Sequence, residues 1–577
     1  MTSLQPAGST PEPILAPTVE KTDRRRGASA DTLLDCLLLM GWAGLIIACT
    51  SLHPSLMAYD EGNYGAESRF MLDSGQWLVG LWWGEPMYGH GVLLNWLMVL
   101  GYKLFGMSDR VVRLWSAIAC FAAILFTYDI SKIITGKRFL GFLTAALLML
   151  FHLWFKFAHL GTQDMLLVSL ELFGIWALLK AEQWPARRIG LGFCTGIALG
   201  LGFLTKTFMI FLPAAALMPY LVFEHRRHRH LSNPGLYAGL LAGIGLIGLW
   251  LWLSINQYGD LVFESMFGKL AQLGAEPYHS SDGPLYYFWN IPANGFPWSL
   301  FSVIGAWFCW QDRHQPNPYR WLLIYPFILF GLLTSFSTRT PYYTLQLFPF
   351  MALFGAIALN RLATQSLAWP RRLLSYAFAA LGLVLCLLGF LMLIAQMSAQ
   401  VSTISDPLLP RAEILPYVPV AIVLGLGWCA LPFTQRSPSN WMATWVLPAW
   451  LALGATGISG LMGDYSPELE ADLAQPAVAS ALEYVPVDFF TGTDWANNDD
   501  HKTFTLLSYY TPILGQLTHS FEDLLITEDA LTAEDAAAAE HYVWLAPNAD
   551  ATDLATQQPF ETIGEVQQWK LIRFLPR

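Results

Sequence analysis

Charged residues are scarce in this chain. They make up 13% of its 577 residues, whereas an ordinary soluble domain carries about 25%. Hydrophobic types reach 54%. Because so few charges cannot cover the surface of a soluble protein of this length, the composition excludes that class and predicts a membrane protein.

Cysteine is absent from 52–110 and 463–577, the two regions outside the long apolar runs. All seven cysteines lie within or at the end of apolar runs. This distribution excludes a disulfide framework and a cysteine metal site in those two regions. It is typical of small side chains buried among helices.

Long apolar runs are abundant instead. A helix needs about 20 mostly apolar residues to cross a bilayer. Because the runs are continuous and rich in leucine, they predict helices rather than the alternating strands of a membrane barrel. About thirteen occur, near 33–51, 111–134, 139–157, 164–182, 187–205, 207–223, 235–256, 297–311, 320–336, 341–360, 372–396, 414–433 and 441–462.

Basic residues alternate between the loops. Every second loop carries a basic cluster, beginning with 21–26, and these loops hold 19 of the 28 Lys and Arg residues before residue 464. Cytoplasmic loops are enriched in Lys and Arg, so the N-terminus is predicted to be cytoplasmic in a plasma (inner) membrane. The loops 52–110 and 258–296 and the C-terminal region then lie on the extracytoplasmic side.

Composition divides the chain into three parts. Residues 1–30 are predicted to be a disordered cytoplasmic tail, and 31–463 a transmembrane domain. Residues 464–577 contain 20 acidic and 4 basic residues, a net charge of −16, whereas the whole chain carries −11.

The predicted fold is mainly α, a polytopic transmembrane helical bundle. Apolar, aromatic stretches in the loop 52–110 are short for spans and predict interfacial helices. In the C-terminal part, strand-like runs at 542–545 and 569–574 alternate with helical stretches such as 468–482. They predict a small soluble, acidic, extracytoplasmic α/β domain.

Asp60 and Glu61 follow the first apolar run directly. Ionisable groups at a membrane surface usually have a function, because loss of water makes their charge costly. Asp60 could act as a general base or bind a divalent cation. The structural alternative is that Asp60 caps a helix over 62–73 and that Glu61 lies in its first turn.

Further polar residues map to the same predicted side. Lys206 and Arg339 could bind a phosphate there, since both are donors without acceptors. Alternatively, each only anchors its span at the interface. The remaining polar residues that map to this side are Glu85, His90, Asn95, Asp164 and His279. Together they favour a site for an anionic lipid head group.

Glu85 and His279 are candidate ligands of a divalent metal ion, and no other cofactor is predicted. A single histidine in an outer loop is usually a surface residue. His279 becomes a metal ligand only if a carboxylate such as Glu85 approaches it in the fold.

In this order, the segments resemble the lipid-linked sugar glycosyltransferases of the GT-C type. The bacterial aminoarabinose transferases of lipid A and the protein O-mannosyltransferase group are the most similar branches. The resemblance covers about 33–365 well and extends weakly to the end. It is carried by Asp60-Glu61-Gly62-Asn63-Tyr64 with the helix behind it at 71–77, by 93–106 with Arg113-Leu114, by Leu204-Thr205-Lys206, and by Ser337-Thr338-Arg339-Thr340-Pro341-Tyr342-Tyr343.

The resemblance implies an inverting transfer of a hexose or pentose from a polyprenyl-phosphate donor to a hydroxyl on the extracytoplasmic side. The acceptor would be a lipid, protein or glycan. Membrane lipids are further partners, and nucleic acid is not. Asp60 would be the base, with Glu61 and Asp164 as further catalytic candidates. Lys206 and Arg339 would stabilise the leaving phosphate. The remaining predicted substrate-binding residues are Tyr59, Tyr64, His90, Tyr342 and Tyr343.

One motif departs from the family pattern. Relatives commonly carry Glu-Lys-Pro-Pro where this chain has Gly89-His90-Gly91-Val92, so His90 stands near the place of a lysine that is expected to touch phosphate. Two other functions remain open. A transporter or flippase of lipid-linked sugars would have paired repeats and broken helices at mid-membrane. A catalytically silent scaffold would bind partners through its acidic domain.

Overall fold

The computed structural model describes residues 25–50, 55–275, 283–365, 367–401, 415–462, 464–491, 501–520, 541–547, 549 and 558–575. Helices dominate this part of the chain, and strands are confined to one hairpin and one C-terminal sheet. The predicted fold class is confirmed.

Residues 55–105, called the first outer loop after the side on which they are predicted to lie, fold into two helices that flank a hairpin. Its elements follow helix α1 (Arg25–Thr50) and are a π-helical turn (Ala58–Gly62), α2 (Asn63–Ser74), β1 (Gly80–Trp82), β2 (Glu85–Met87) and α3 (Leu93–Phe105). Strand β1 pairs antiparallel with β2. Helix α3 buries Leu94 and Met98 on one face and exposes Leu100 and Leu104 on the other. This pattern is typical of a helix at a membrane surface.

Apolar helices form the body of the molecule. They are, with the short helices that connect them, α4 (Asp109–Thr135), α5 (Arg138–Leu148), α6 (His152–Ala158), α7 (Gln163–Gln183), α8 (Arg188–Lys206), α9 (Phe211–Phe223), α10 (His225–His228), α11 (Pro234–Tyr258), α12 (Leu261–Ala275), α13 (Tyr286–Gly295), α14 (Trp298–Gln311), α15 (Arg320–Ser335), α16 (Phe348–Thr364), α17 (Ala368–Val401), α18 (Tyr417–Cys429), α19 (Leu431–Thr434) and α20 (Pro438–Ile458).

Every predicted span coincides with helix, but the number of spans stays a prediction. Eight helical stretches in the described residues are long and apolar enough to cross a membrane. The predicted span 139–157 is not a single straight helix, because α5 and α6 meet at 73°. The stretch Pro185–Phe223 holds two predicted spans, and α14 and α15 are shorter than about 20 residues.

Helices α8 and α11 pack through glycine. A Cβ on Gly200 would lie 2.4 Å from Gly243 Cα, and one on Gly196 would lie 2.4 Å from Leu236 O. Small residues at four-residue spacing let membrane helices approach closely. This contact fixes the position of α8, whose last residue is Lys206.

The C-terminal region forms a five-stranded sheet with helices. The strand order is β4-β3-β5-β7-β6; β3 runs parallel to β4 and β5, and β7 runs antiparallel to β5 and β6. The predicted helix over 468–482 is two helices, because Pro476 starts the second. The elements are α21 (Pro467–Leu473), α22 (Pro476–Leu482), β3 (Val487–Phe490), α23 (His501–Tyr510), β4 (Leu514–Thr518), β5 (Tyr542–Leu545), β6 (Phe560–Val566) and β7 (Trp569–Phe574).

This C-terminal unit docks on the first outer loop and shares a hydrophobic core with it. The Trp83 ring lies 6.1 Å from that of Phe504 in a stacked arrangement. Arg69 of α2 donates hydrogen bonds to backbone carbonyls at the end of α23, including Tyr509 O at 2.9 Å and Pro512 O at 2.8 Å. Since these carbonyls have no partner within the helix, the guanidinium caps it.

Candidate active site

One cavity of about 670 Å³ lies where the first outer loop, the ends of α7 and α8, the start of the 341–364 stretch and α23 meet. Its walls include nine of the twelve predicted site residues. They are Tyr59, Asp60, Tyr64, Glu85, His90, Asp164, Lys206, Tyr342 and Tyr343. The fold thus gathers segments that are far apart in the sequence. Of the predicted residues that the structure describes, Glu61 and Arg339 are not in this lining, and His279 lies outside the described residues.

Asp60 lies in the π-helical turn and faces the cavity. Burial raises the pKa of its carboxyl above the usual value, and the negative charge of Asp164 adds to this effect while Lys206 opposes it. A carboxylate with a raised pKa is a stronger base than an exposed one. The capping alternative is not realised, because Gly62 occupies the N-cap of α2 and no side chain caps that end.

Lys206 and Asp164 form an ion pair in the cavity wall, with Lys206 Nζ 2.5 Å from Asp164 Oδ1. Lys206 Nζ also lies 4.6 Å from the ring centre of Tyr342 and 5.2 Å from that of Tyr343. Aromatic faces attract a cation. The rings and the carboxylate therefore hold the ammonium group in place without enclosing it.

The backbone next to Lys206 is strained. Helix α8 ends at Lys206, and Thr207 adopts a φ of 44° in the left-handed region. A Cβ at Gly91 would lie 2.2 Å from Leu204 O, so only glycine fits there. The loop that carries His90 thus packs directly on the end of α8, and such strain is common at functional sites.

His90 is held by a carboxylate that the sequence argument missed. His90 Nε2 lies 3.2 Å from Glu67 Oε1, and Asn95 donates to Glu67 Oε2 at 3.2 Å. The Tyr64 ring packs edge-on against His90 at 4.8 Å. Glu67 follows Tyr64 by three residues on α2, so the helical spacing could have placed both on the cavity face.

Glu61 points away from the cavity and is fully buried. Its Oε1 lies 2.7 Å from Arg113 Nε and accepts from Gly161 N at 2.8 Å. Its Oε2 lies 2.8 Å from Arg113 Nη2 and accepts from Met57 N at 3.0 Å. With both oxygens used in this way, Glu61 holds the outer loop to α4, and the predicted catalytic role is corrected to a structural one.

Arg339 is also placed differently from the prediction. It is buried and donates to backbone carbonyls of its own segment, Thr334 O at 3.0 Å and Ser337 O at 3.4 Å. Its neighbour Thr338 lines the cavity instead. Arg339 thus supports this loop, and its predicted phosphate contact stays a prediction, whereas Lys206 lies in the cavity wall itself.

The predicted metal site is not assembled by the described residues. Glu85 is exposed at the cavity, and His279 lies outside the described residues. No group of three or more His, Cys, Asp or Glu side chains within that part of the chain could hold a metal ion. A divalent metal ion stays a prediction.

The chain is similar in sequence to known glycosyltransferases. Residues 89–252 match the family model described as dolichyl-phosphate-mannose-protein mannosyltransferase. The undecaprenyl phosphate-alpha-4-amino-4-deoxy-L-arabinose arabinosyl transferase 2 of Pseudomonas fluorescens is 25% identical over 79% of this chain and 78% of its own length. The corresponding transferase of Pseudomonas paraeruginosa is 26% identical over 72% and 74%.

The whole fold is also similar to a solved structure. ArnT from Cupriavidus metallidurans, in the apo state, superposes with a TM-score of 0.70 at 18% identity and covers 95% of this chain and 98% of its own. This chain has the ArnT fold. The ArnT structure bound to undecaprenyl phosphate gives the same TM-score at 19% identity.

The family match, the similar transferases and the shared fold together confirm the resemblance that the motifs predicted, to GT-C glycosyltransferases of the lipid A aminoarabinose transferase type. The chain is therefore a multi-span membrane protein. The positive-inside orientation and the three-domain division stay predictions.

Proposed function

We infer that this chain is an integral membrane glycosyltransferase that moves a sugar from a polyprenyl-phosphate donor to an acceptor hydroxyl. The observation that supports it best is the single cavity that holds Asp60 beside the Lys206–Asp164 pair, in a chain with the ArnT fold. This arrangement joins a base to a fixed cation, which are the two groups that the transfer needs.

The chemistry follows from these two groups. Asp60 takes the proton of the acceptor hydroxyl while the oxygen attacks the anomeric carbon of the donor sugar. The bond from that carbon to the phosphate oxygen breaks, and the electron pair leaves with the polyprenyl phosphate. Lys206 stabilises the charge that grows on this phosphate. Asp164, Tyr342 and Tyr343 hold the ammonium group in position.

The relatives indicate which donor to try first. Their names specify undecaprenyl phosphate and 4-amino-4-deoxy-L-arabinose, so we propose an undecaprenyl-phosphate pentose as donor. We propose a lipid as acceptor because the motifs resemble those of the lipid A aminoarabinose transferases. His90, held by Glu67, lies on the cavity wall near the place of the family's lysine. A histidine in place of the lysine provides a reason to test other head groups as well.

We place the reaction on the extracytoplasmic side of the membrane. The support is the alternation of basic loops, which puts the first outer loop and the C-terminal region opposite the cytoplasm. The transporter alternative is not favoured by the similar proteins, which are named as transferases.

The test is a transfer assay with purified protein, labelled undecaprenyl-phosphate aminoarabinose and an acylated glucosamine disaccharide. Asp60→Asn should lower kcat by about 10²–10⁴-fold, as expected for loss of a general base. Asp260→Asn, an exposed aspartate outside the cavity lining, is the matched control. If Asp60→Asn transfers the sugar at the wild-type rate, Asp60 is not the general base. Movement of the lipid between leaflets without transfer would favour a flippase.

A further inference from the structure

Three rings from distant parts of the chain meet in the cavity wall. They are Tyr59 of the π-helical turn, Trp82 of β1 and His501 at the start of α23. The rings of Trp82 and His501 are stacked, with centres 6.2 Å apart and 22° between their planes. Tyr59 lies 6.2 Å from His501. The C-terminal unit thus contributes a side chain to the candidate active site.

The surroundings hold this group of rings in place. Trp82 is 9% exposed and packs edge-on against Phe504 at 5.6 Å. His501 Nδ1 lies 3.1 Å from Thr505 Oγ1, one turn along α23. Tyr59 is 48% exposed, so part of its ring is open to a ligand. A fixed aromatic surface binds without a large cost in side-chain entropy.

A positive charge lies beside these rings. Lys502 Nζ is 5.3 Å from the ring centre of Tyr59. Residues 464–577 contain only 4 basic residues against 20 acidic ones. Lys502 is therefore a local exception in an acidic region, and it would attract an anionic group held on the rings.

The chemistry of the rings suits a sugar. A pyranose has an apolar face of C–H groups and a polar edge of hydroxyls. Aromatic faces bind the first, and ring nitrogens and carboxylates bind the second. Because Tyr59 and Asp60 both line the cavity, a sugar on this surface lies in the same cavity as the proposed base. The donor phosphate is assigned to Lys206, which lies over two other rings, Tyr342 and Tyr343.

We propose that Tyr59, Trp82 and His501 form the acceptor subsite, in which a sugar ring of the acceptor stacks, and that Lys502 favours acceptors with an acidic group on that ring. The C-terminal unit thereby selects the acceptor. The proposal rests on the glycosyltransferase function above and names the residues that determine its acceptor specificity.

The experiment measures binding rather than turnover. Purified full-length protein is titrated with two probes, an acylated glucosamine disaccharide that carries phosphate and its dephosphorylated form, and separately with undecaprenyl phosphate. The variants are His501→Ala, His501→Phe, which keeps an aromatic ring, and Lys502→Ala. His314→Ala, an exposed histidine that does not line the cavity, is the matched control.

His501→Ala should weaken binding of both sugar probes by roughly tenfold, and His501→Phe should recover most of this loss. Lys502→Ala should weaken binding of the phosphorylated probe alone, by about threefold at low salt. Undecaprenyl phosphate should bind all variants equally, which also shows that they are folded.

Two results would overturn the proposal: unchanged sugar binding by His501→Ala, or a loss confined to undecaprenyl phosphate. A wild-type protein that binds the phosphorylated probe at these rings but transfers no sugar would contradict the proposed function while leaving the binding site in place. The two ideas can therefore fail separately.

Discussion

Asp60 and Glu61 are neighbours in one helical turn, and they face opposite surroundings. Asp60 faces the cavity, where burial and the charge of Asp164 raise its pKa. Glu61 is fully buried on the other side, where Arg113 and two backbone N–H groups bind its oxygens. One carboxylate is left available for chemistry, and the other is consumed in holding the turn.

The comparison shows that partners, rather than residue type, decide what a buried acid does. When a guanidinium and amide donors bind both oxygens of a carboxylate, those oxygens are not open to a substrate. A carboxylate that is desolvated near another acid retains basicity. The fold therefore uses Glu61 to position Asp60.

The largest effect is expected from Glu61→Gln. It leaves the buried Arg113 without its anion, which costs about 3–5 kcal/mol of stability. Asp60→Asn should leave stability unchanged or slightly raised, because it removes a desolvated charge. Thermal unfolding in detergent measures both. Glu468→Gln, at an exposed site, is the control. If Glu61→Gln unfolds at the wild-type temperature but has lost its activity, Glu61 has a catalytic role and not a structural one.

Lys206→Met should give the next effect. A hydrogen bond to a charged group contributes about 1.5–3 kcal/mol, so kcat/KM for the donor should fall roughly 10- to 100-fold. Lys206→Arg should retain part of the activity, since the charge remains. A loss confined to the acceptor KM would show that Lys206 does not bind the donor phosphate.

The pH dependence gives a smaller effect with opposite signs in two variants. Activity needs ionised Asp60, so it should fall on acidification with a midpoint above 3.8, the usual value for an aspartate. Lys206→Met should move this midpoint up, because Lys206 lowers the pKa of Asp60. Asp164→Asn should move it down, because Asp164 raises that pKa. The midpoints are measured from the pH dependence of kcat/KM. If the midpoint shifts in the same direction in both variants, Asp60 is not the base.

The smallest effect concerns the docked C-terminal unit. Burial, with the charge of Asp109 as a second cause, raises the pKa of Glu470 from 4.5 to about 7. The folded state thus favours the protonated form. The protonated Glu470 carboxyl therefore contributes its full stabilisation of the fold below about pH 4.5. This stabilisation is lost as the pH rises through about 7.

Glu470→Gln should remove this part of the pH dependence of thermal unfolding, and Glu468→Gln should keep it. An identical pH profile for wild type and Glu470→Gln would show that this carboxyl does not contribute.

Much of the site could be predicted from sequence, because residues in loops on one side of a membrane converge. Asp60, Asp164, Lys206, Tyr342 and Tyr343 lie in four separate segments, and topology alone brought them together. Side-chain direction could not be predicted in the same way. Glu61 turns away because Arg113, in another helix, binds it.

The residues that were missed had partners far away in the chain. Glu67 becomes part of the cavity wall through His90 and Asn95. His501 does so through ring contacts with Trp82 and Tyr59. No local pattern around either residue indicates a site, since the contact that gives it a role lies in another element.

The sequence by itself determined the membrane character, the position of the helices and the fold family resemblance. These depend on the length of apolar runs and on motifs within single segments, which are local properties. Only the tertiary structure decided which of two adjacent acids faces the cavity, and that the C-terminal unit contributes to its wall. Both depend on packing between elements distant in sequence, where one charged or aromatic partner sets the direction of a side chain.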